Sequence, residues 1–510
     1  MNGYSLLELT LGDILRVINP MNEDWSIRFH IINELQGVVQ SIENLRGATV
    51  EPYGSFVSNL FTRWGDLDVS VELHNGSYIS SAGKKHKQSL LEDILKALRR
   101  KGGWRRLQFI PNARVPILKL ESHLNISCDI SINNLVAQMK SKLLFWINEI
   151  DGRFRDIILL VKEWAKAHDI NDSTSGTLNS YCLSLLVVFH FQTCVPAILP
   201  PLKEIYPGNI VDDLTGVRAV AEKHIEETCA VNINRLRSDR SRIINASSLS
   251  ELFVSFLAKF CDISLRAPVQ GISTYSGQWE DIGSNMRRLP KTCALFVEDP
   301  FEQPANSAMT VSNRQLTKIS EAVQTTHRML LSAHQSQNSI ISTLLRPHIS
   351  QFVARTPARN LSNNGGDCSR AQPLVHAPGH SPLQLQQQFQ NMRIDGRPRN
   401  GNASTRKGPG NGNASTQKGP GNGNASTRQV PGNGNASTRQ VPGNGNASTR
   451  QALGNASMRQ MPGNRNASTR QAPGNGNTST QQAPGNGNAS TRQPVRALHN
   501  QGQQLRRPRP

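Results

Sequence analysis

The change in composition near Arg355 constrains the fold of this chain more than any other feature of its sequence. Apolar residues recur regularly from Leu6 to about Phe301, fade over the next ~50 residues and stop near Arg355, after which Asn, Gln, Pro and Gly dominate. A segment so poor in apolar residues cannot bury a core. We therefore predict that roughly the first 330 residues fold and that residues 331–510 form a disordered, low-complexity basic tail.

The tail is built from GNGNASTRQ-type repeats, most of them 11 residues apart. Each carries Asn-Ala-Ser or Asn-Thr-Ser, at Asn402, Asn413, Asn424, Asn435, Asn446, Asn455, Asn466, Asn477 and Asn488. An 11-residue period can indicate a right-handed supercoil, but these repeats hold almost no apolar residue to form its seam, which favours disorder. The Asn-x-Ser/Thr pattern also suits glycosylation, which we do not expect without a secretory signal.

The net charge of +20 is mainly a property of the tail. Residues 396–510 contain 16 Lys and Arg and no Asp or Glu, whereas the first 395 residues carry 41 basic and 37 acidic side chains. A near-neutral body with a basic tail indicates a polyanionic partner such as nucleic acid, with an anionic membrane surface as the alternative.

The seven cysteines, Cys128, Cys182, Cys194, Cys229, Cys261, Cys293 and Cys368, form no CxxC pair and are odd in number. This pattern indicates neither a zinc site nor a disulfide framework, and it favours a reducing compartment. The N-terminal segment is typical of an amphipathic helix rather than a signal peptide, and the most apolar run is interrupted by His190 and Pro196. We therefore expect a soluble protein.

Hydrophobic spacing changes twice within the folded part. Residues 1–45 are helical in pattern, residues 46–135 alternate with a period of two, and residues 140–300 return to helical spacing, with long segments at 154–168 and 180–193. In the first of these segments Lys162 and Lys166 are four residues apart and so share a helix face.

Three aspartates form the constellation that carries chemistry. Asp66 and Asp68 lie on one face of a predicted strand that follows Gly54-Ser55, and Asp129 lies on the polar face of a second strand, ISCDISI. If the two strands are neighbours, the three carboxylates converge. Convergent carboxylates repel one another and are best kept ionised by Mg²⁺, and paired ions of this kind support nucleotidyl transfer. Gly54 would allow close backbone approach to a phosphate, to which Ser55 could donate a hydrogen bond.

Five segments, GSFVSNLFTRWGDLDVSV, ISCDISINN, LLVKEWAKAHDIND, GTLNSYCLSLLVVFH and FVEDPFEQP, occur in an order and spacing that resembles a known family. It is the noncanonical poly(A) polymerase and terminal uridylyltransferase branch of the DNA polymerase β-type nucleotidyltransferases. Within it the chain is similar to plant enzymes that uridylate small RNAs lacking 2′-O-methylation. The resemblance covers about residues 5–330 and does not extend to the tail.

The resemblance implies a role for each matching residue. Asp66, Asp68 and Asp129 would hold Mg²⁺ or Mn²⁺, and Asp129 would help to activate the RNA 3′-hydroxyl. The nucleotide, UTP, would be contacted by Ser55, Lys162, Lys166 and Ser180 at its phosphates, by Asn134 at its ribose, by Tyr181 through stacking, and by Asp299 and Glu302 at the edge of the base.

Simpler interpretations remain for several of these residues. Lys162 and Lys166 could form a solvated helix face, Tyr181 could be a core residue, and Asp299 and Glu302 could belong to a turn or helix cap. His190, Trp64 and Trp164 are expected to be core residues.

Two positions depart from the family pattern. Ala305 stands where some uridylyltransferases have a histidine that excludes adenine, and Lys140 stands where related enzymes can have an asparagine near the ribose. A poly(A) polymerase is therefore the alternative function, and an RNA-binding scaffold without activity is the alternative from another class.

The expected architecture is α/β: an N-terminal helical segment at 1–45 packing on the helical domain, a polymerase β-like palm at 46–140, a helical PAP-associated domain at 141–330, and the tail. The expected protein is a monomeric RNA uridylyltransferase that adds UMP to the 3′ ends of small RNAs and marks them for decay. An Argonaute-type partner and a cytoplasmic, P-body or nuclear location are compatible with this expectation.

Overall fold

The computed structural model describes residues 3–73, 78–79, 83–239, 241–283, 293–332 and 336–354, together with nine short strands between residues 403 and 492. The chain divides into two compact units, residues 1–367 and 368–510. Cys368 and the asparagine of each Asn-x-Ser/Thr repeat lie outside the described residues. Among the described helices, none is both long and apolar enough to span a membrane.

A five-stranded sheet forms the palm. Its strands are β1 (Thr49–Tyr53), β2 (Leu67–Glu72), β3 (Arg105–Ile110), β4 (Ile117–Glu121) and β5 (Ser127–Ile132), in the order β1-β2-β5-β4-β3. Only β2 and β5 run parallel, and the other neighbours are antiparallel. The alternation predicted for β5 is confirmed, since Cys128, Ile130 and Ile132 are all buried.

The first two helices pack on different parts of the molecule. Helix α1 (Gly3–Ile18) is amphipathic as predicted and packs on helices that follow the palm, burying Leu7, Leu11 and Ile14. Helix α2 (Asn22–Gln40) instead packs on β1, β2 and α4 (Lys84–Lys101). The prediction that residues 1–45 pack on the helical domain is therefore corrected for α2, whose apolar side chains face the sheet.

The helical part follows β5. Its helices are α5 (Leu135–Asn148), α6 (Gly152–Ala167), α7 (Ser180–Thr193), α8 (Ile210–Asp213), α9 (Arg218–Ser238), α10 (Leu249–Phe260), α11 (Ile263–Arg266) and α12 (Asn313–Leu330); a short α3 (Gly54–Val57) belongs to the palm. The two long helices predicted at 154–168 and 180–193 are confirmed as α6 and α7. A small antiparallel pair that the spacing did not indicate, β6 (Gln270–Ser273) and β7 (Gln278–Asp281), precedes α12.

Two further helices extend the folded part beyond residue 330. Helices α13 (Gln337–Leu344) and α14 (Pro347–Ala354) pack on α1 and bury Ile340, Leu344 and Ile349. The boundary predicted at 330 is therefore corrected to at least 354. Each of these helices has only eight residues, too few for a periodic pattern to stand out from the surrounding polar sequence.

Nine strands of four or five residues, β8 to β16, occur one per repeat in the tail. Odd and even repeats pair within two separate parallel sheets, ordered β16-β14-β12-β10-β8 and β15-β13-β11-β9. Many register partners are identical residues, for example Ser426 with Ser448, and others differ, for example Thr438 with Met458. These strands are regular structure that a prediction of disorder does not contain. Four of them read ASTRQ and the others are close variants, so their sequences hold almost no apolar residue that could form a core.

Candidate active site

Neighbouring strands bring the aspartates together. Asp68 on β2 and Asp129 on β5 are direct partners in the parallel register. The two strands are therefore neighbours, which is the condition for the convergence of their carboxylates. Asp66 is exposed and lies one residue before β2, at the entry to this strand. Tyr53, at the end of β1, is the partner of Asp68 on the other side.

Burial and like charge disturb the ionisation of this group. Burial first, and then the charges of Asp129 and Asp66, raise the pKa of Asp68 from its ordinary value to about 7. Burial also raises the pKa of Asp129, although Lys119 opposes the shift through an ion pair of 3.0 Å between its Nζ and Asp129 Oδ2. Such a set of oxygen donors with excess negative charge fits a hard divalent cation, which would stabilise the ionised form.

Gly54 packs directly against the carboxylate of Asp68. Its φ of +69° is in the left-handed region, and a Cβ atom at this position would lie 2.1 Å from Asp68 Oδ2. Only glycine therefore fits here. The close approach that the structure shows at Gly54 is to the carboxylate of Asp68, and the close approach to a phosphate stays a prediction. Ser55, the next residue, lies in the first turn of α3.

The two lysines of α6 differ in environment. Lys162 is buried and donates to the carbonyl of Leu60 at 2.8 Å; burial, and next Lys166, lower its pKa to about 7. A solvated face is therefore wrong for Lys162. Lys166 is partly exposed and pairs with Glu163 at 3.5 Å. The negative charge of Asp68 partly opposes this lowering of the Lys162 pKa.

Asp299 and Glu302 belong to a second cluster. Tyr181 donates from its hydroxyl to Asp299 Oδ1 at 3.0 Å, and Lys140 Nζ lies 2.5 Å from Asp299 Oδ2 and 2.7 Å from Glu302 Oε2. Arg114, from the segment between β3 and β4, pairs with Glu302 at 2.6 Å. Burial opposes ionisation of Glu302, but its cationic partners, Lys140 first, hold its pKa below the ordinary value.

This cluster is more than a turn or a cap. Asp299 does accept the backbone N–H of Phe301, as a turn residue would, but its two oxygens also contact Tyr181 and Lys140. Burial and the Asp299 charge raise the pKa of Tyr181 well above its ordinary range, so this hydroxyl remains a donor. Lys140 Nζ lies 5.5 Å from the centre of the Tyr181 ring.

Asn134 and Ser180 occupy helix starts. Asn134 is the residue before α5 and donates its backbone N–H to Ser70 Oγ at 2.8 Å. Ser180 begins α7, and its hydroxyl donates to Asn171 Oδ1 at 3.2 Å. The structure shows neither residue in contact with the aspartates or with Asp299, so their contacts with ribose and phosphate stay predictions.

Three residues in or beside the site carried no recognisable sequence signal. Lys119 pairs with Asp129, Arg114 pairs with Glu302, and Arg28 is a fully buried arginine on α2. Arg28 donates to the carbonyls of Arg63 and Gly65, directly before Asp66. The pairing of Lys119 with Asp129 could have been predicted only with a known strand register, because the two residues are partners on antiparallel strands.

The residues expected in the core are largely found there. His190 and Trp164 are buried, and Trp164 donates its ring N–H to Thr326. Burial lowers the pKa of His190 to about 3, so the ring is neutral. Trp64 is partly buried and packs against the core.

Comparison with known proteins agrees with this architecture. Residues 7–149 match the family described as the central palm domain of mitochondrial-like poly(A) RNA polymerase. Protein HESO1 of Arabidopsis thaliana is 58% identical over 357 residues, which cover 70% of each chain. Poly(A) RNA polymerase cid11 of Schizosaccharomyces pombe is 26% identical, and the match covers 61% of this chain and 60% of cid11.

A solved structure shows the same fold. This structure, of a cytoplasmic RNA terminal U-transferase, aligns with a TM-score of 0.51 at 24% identity, and the alignment covers 67% of this chain and 98% of the other. At this identity the likeness concerns the fold of the palm and helical parts.

Proposed function

The chain belongs to the HESO1 family of RNA nucleotidyltransferases, and from this premise we propose that it is a template-independent uridylyltransferase that transfers UMP from UTP to the 3′ end of RNA. The proposed substrates are small RNAs with a free 3′-terminal ribose, which uridylation marks for decay. An Argonaute-type partner and a location in cytoplasmic granules or the nucleus belong to the same proposal.

The observation that carries the proposal is the direct pairing of Asp68 with Asp129 on parallel neighbouring strands. Together with Asp66, they offer the oxygen ligands that Mg²⁺ or Mn²⁺ prefers, and burial and the neighbouring carboxylate charges, which raise the pKa of Asp68, are conditions in which a bound cation would stabilise its ionised form. When bound, such ions supply charge neutralisation for the attacking hydroxyl and the leaving pyrophosphate.

The chain's own residues would position the reactants. Asp129 would orient the 3′-hydroxyl of the RNA, while Lys162, Lys166 and Ser55 would hold the triphosphate. Lys162 is suited to this task because a triphosphate would restore the charge that burial disfavours.

The Tyr181 and Lys140 cluster supports UTP as the nucleotide. Uracil presents two carbonyl acceptors that flank an N–H donor, whereas the corresponding edge of adenine presents an amino group. Two of the three ammonium donors of Lys140 face Asp299 and Glu302, which leaves the third for a carbonyl of a base stacked on Tyr181. A cationic donor would repel the amino group of adenine, so Lys140 would perform the discrimination for which Ala305 has no side chain.

A nucleotide-preference assay tests the function. Purified protein is incubated with a short 5′-labelled RNA, Mg²⁺ and each nucleoside triphosphate in turn, and extension is expected with UTP. The Asp66→Ala, Asp68→Ala double variant should lower the rate about a thousandfold or more, because the metal ligands are removed. Extension by the variant at the wild-type rate would refute the proposed site.

Polyadenylation remains the second candidate because of Ala305. Extended RNA products formed only with ATP would establish polyadenylation, and this result would be compatible with the fold and with the aspartate site. An inactive RNA-binding scaffold would show RNA binding without extension by any nucleotide.

A further inference from the structure

We propose that His30, Glu34 and His123 form a transition-metal site, with Zn²⁺ as its natural probe, on the palm and separate from the three aspartates. His30 and Glu34 are one turn apart on α2, and His123 lies in the turn between β4 and β5. The inference does not depend on the proposed nucleotidyl transfer.

The spacing of the three side chains suits a zinc ion. Glu34 lies between the two rings, with 3.8 Å from Oε1 to His30 Nε2 and 3.6 Å from Oε2 to His123 Nδ1. One ligand atom from each of the three residues lies within 4.8 Å of the others. Tetrahedral zinc with Zn–N and Zn–O bonds of about 2.0–2.2 Å holds its ligand atoms about 3.3–3.5 Å apart, so movements of about 1 Å would close the site.

An ordinary helix ion pair does not account for all of this arrangement. An i,i+4 pair of His30 with Glu34 would be common on a helix surface, but it leaves Glu34 Oε2 unexplained. That oxygen is buried and has no hydrogen-bond partner among the described residues, and the 3.6 Å to His123 is too long for a hydrogen bond. A buried acceptor without a donor is costly, and a metal ion would satisfy it.

The donor set selects the class of metal. Two imidazole nitrogens and one carboxylate suit Zn²⁺ and its transition-metal neighbours, whereas Mg²⁺ prefers oxygen alone. The aspartate site has only oxygen donors, so Mg²⁺ in excess would occupy it and leave the histidine site to zinc. His30 and His123 are 60% and 44% exposed, which gives the ion a path in and leaves a fourth position for water.

Binding would join two elements that hold the catalytic carboxylates. Helix α2 carries Arg28, which bonds the carbonyls of Arg63 and Gly65 just before Asp66. The turn that carries His123 leads into β5 and Asp129, and it is itself fixed by the hydrogen bond from Asn125 N–H to the Ser122 carbonyl. A metal ion at this position would clamp α2 to the palm sheet and stabilise the palm.

Direct zinc binding tests the proposal. Metal-stripped full-length protein is titrated with ZnCl₂ in excess Mg²⁺ by calorimetry, in parallel with His123→Gln, Glu34→Gln and His86→Gln. His86 is an exposed histidine on α4 of the same palm and serves as the matched control. We expect one equivalent of Zn²⁺ in the wild type and in His86→Gln, and binding at least about tenfold weaker in the other two variants.

Two further measurements separate binding from unfolding. Zinc is expected to raise the melting temperature of the wild type by about 3–8 °C and to leave those of His123→Gln and Glu34→Gln unchanged. Co²⁺ in place of zinc should give the visible absorption of a tetrahedral site only where zinc binds. A wild type that binds no zinc in excess Mg²⁺, or an equivalent retained by both His123→Gln and Glu34→Gln, would overturn the proposal.

Discussion

The carboxylate of Asp68 lies directly against the Cα atom of Gly54, where no other residue type fits. Gly54→Ala would force either the turn or the carboxylate to move by about 1 Å, which in a catalytic group typically costs about a hundredfold in rate. We therefore expect kcat to fall about a hundredfold in this variant with little change in RNA binding, as measured by single-turnover extension.

Gly12→Ala is the control for this change, because no atom would lie within 4 Å of the added methyl group on α1. It should preserve activity and stabilise the helix by up to about 1 kcal/mol. Equal activity of the Gly54→Ala and Gly12→Ala variants would contradict the proposed packing of Asp68.

Lys140 should decide the choice of base. Lys140→Met removes the ammonium donors that lie between Asp299, Glu302 and the Tyr181 ring. Loss of a charged hydrogen bond of about 1.5–3 kcal/mol predicts a 10- to 100-fold drop in the ratio of kcat/KM for UTP to that for ATP.

The exposed Lys96 on α4 provides a matched substitution, Lys96→Met, that should leave this ratio unchanged. An unaltered preference for UTP in Lys140→Met would assign selectivity to other residues and leave the uridylyltransferase function intact.

At the residue scale, local patterns reveal some site residues and not others. Alternation with a period of two is a property of each strand alone, and it correctly assigned Asp68 and Asp129 to polar strand faces. The ion pair of Lys119 with Asp129 depends on the register between strands far apart in sequence. Arg28 lies among the apolar positions of α2, where a buried guanidinium gives no distinct pattern.

At the scale of elements, one ion-pair network joins the palm to the helices. Arg218 at the start of α9 donates to Glu72 at the end of β2 at 2.7 Å and to Gln138 on α5 at 2.8 Å. Glu222, one turn later on α9, pairs with Arg218 at 2.5 Å and with Lys142 at 3.0 Å. The network therefore fixes β2, which carries Asp68, relative to α5 and α9.

Glu222 gives this network a pH dependence. Burial alone would raise its pKa, but Lys142 and Arg218 outweigh burial and lower the pKa from 4.5 to about 2. Because the folded value is the lower one, the stabilisation is complete above about pH 5 and is lost as the pH falls towards 2. Glu222→Gln should lower the free energy of unfolding by up to about 3 kcal/mol at pH 7, with a smaller difference from wild type at low pH.

Urea unfolding at several pH values measures this effect. Glu227 on the same helix is largely exposed and pairs with the equally exposed Lys223, so Glu227→Gln is expected to change stability by less than about 0.5 kcal/mol. A Glu222→Gln deficit that stays constant from pH 7 to pH 3 would show that the carboxylate charge is not its cause.

Element type followed from the sequence where a segment was long. The helical spacing of residues 154–168 predicted α6, and its apolar side chains Phe154, Ile157, Ile158, Val161 and Trp164 are all buried. The packing partner of α2 could not be predicted in the same way. An apolar stripe indicates which face of a helix is buried, but it does not identify the element that packs against that face. The same limit applies to β6 and β7, which are only four residues each.

At the scale of the whole molecule, the tail supplies most of the net positive charge, 16 of +20. Deletion of residues 396–510 removes 16 Lys and Arg and no acidic residue. We expect weaker RNA binding at low salt and a shallower dependence of log K on log salt, since fewer counterions are released on binding. Single-turnover extension at saturating RNA should stay within about twofold of wild type, because all the proposed site residues are retained.

Binding titrations at several salt concentrations make this comparison. A variant in which the tail arginines are replaced by glutamine, with the length unchanged, separates charge from chain length. Wild-type affinity and salt dependence in both variants would show that the tail does not bind RNA.

The last helix described before the tail strands, α14, ends at Ala354, directly before the compositional change near Arg355, so the boundary predicted at 330 was too early. Arg346, between α13 and α14, pairs at 3.0 Å with Glu163, a fully buried carboxylate on α6 that also accepts from Thr62. Cutting a recombinant fragment at residue 330 would remove this guanidinium and leave the buried acid, among the described residues, only the longer cationic contact of 3.5 Å with Lys166, which would destabilise the fragment. The shortest catalytically competent version of this enzyme should therefore end no earlier than residue 354.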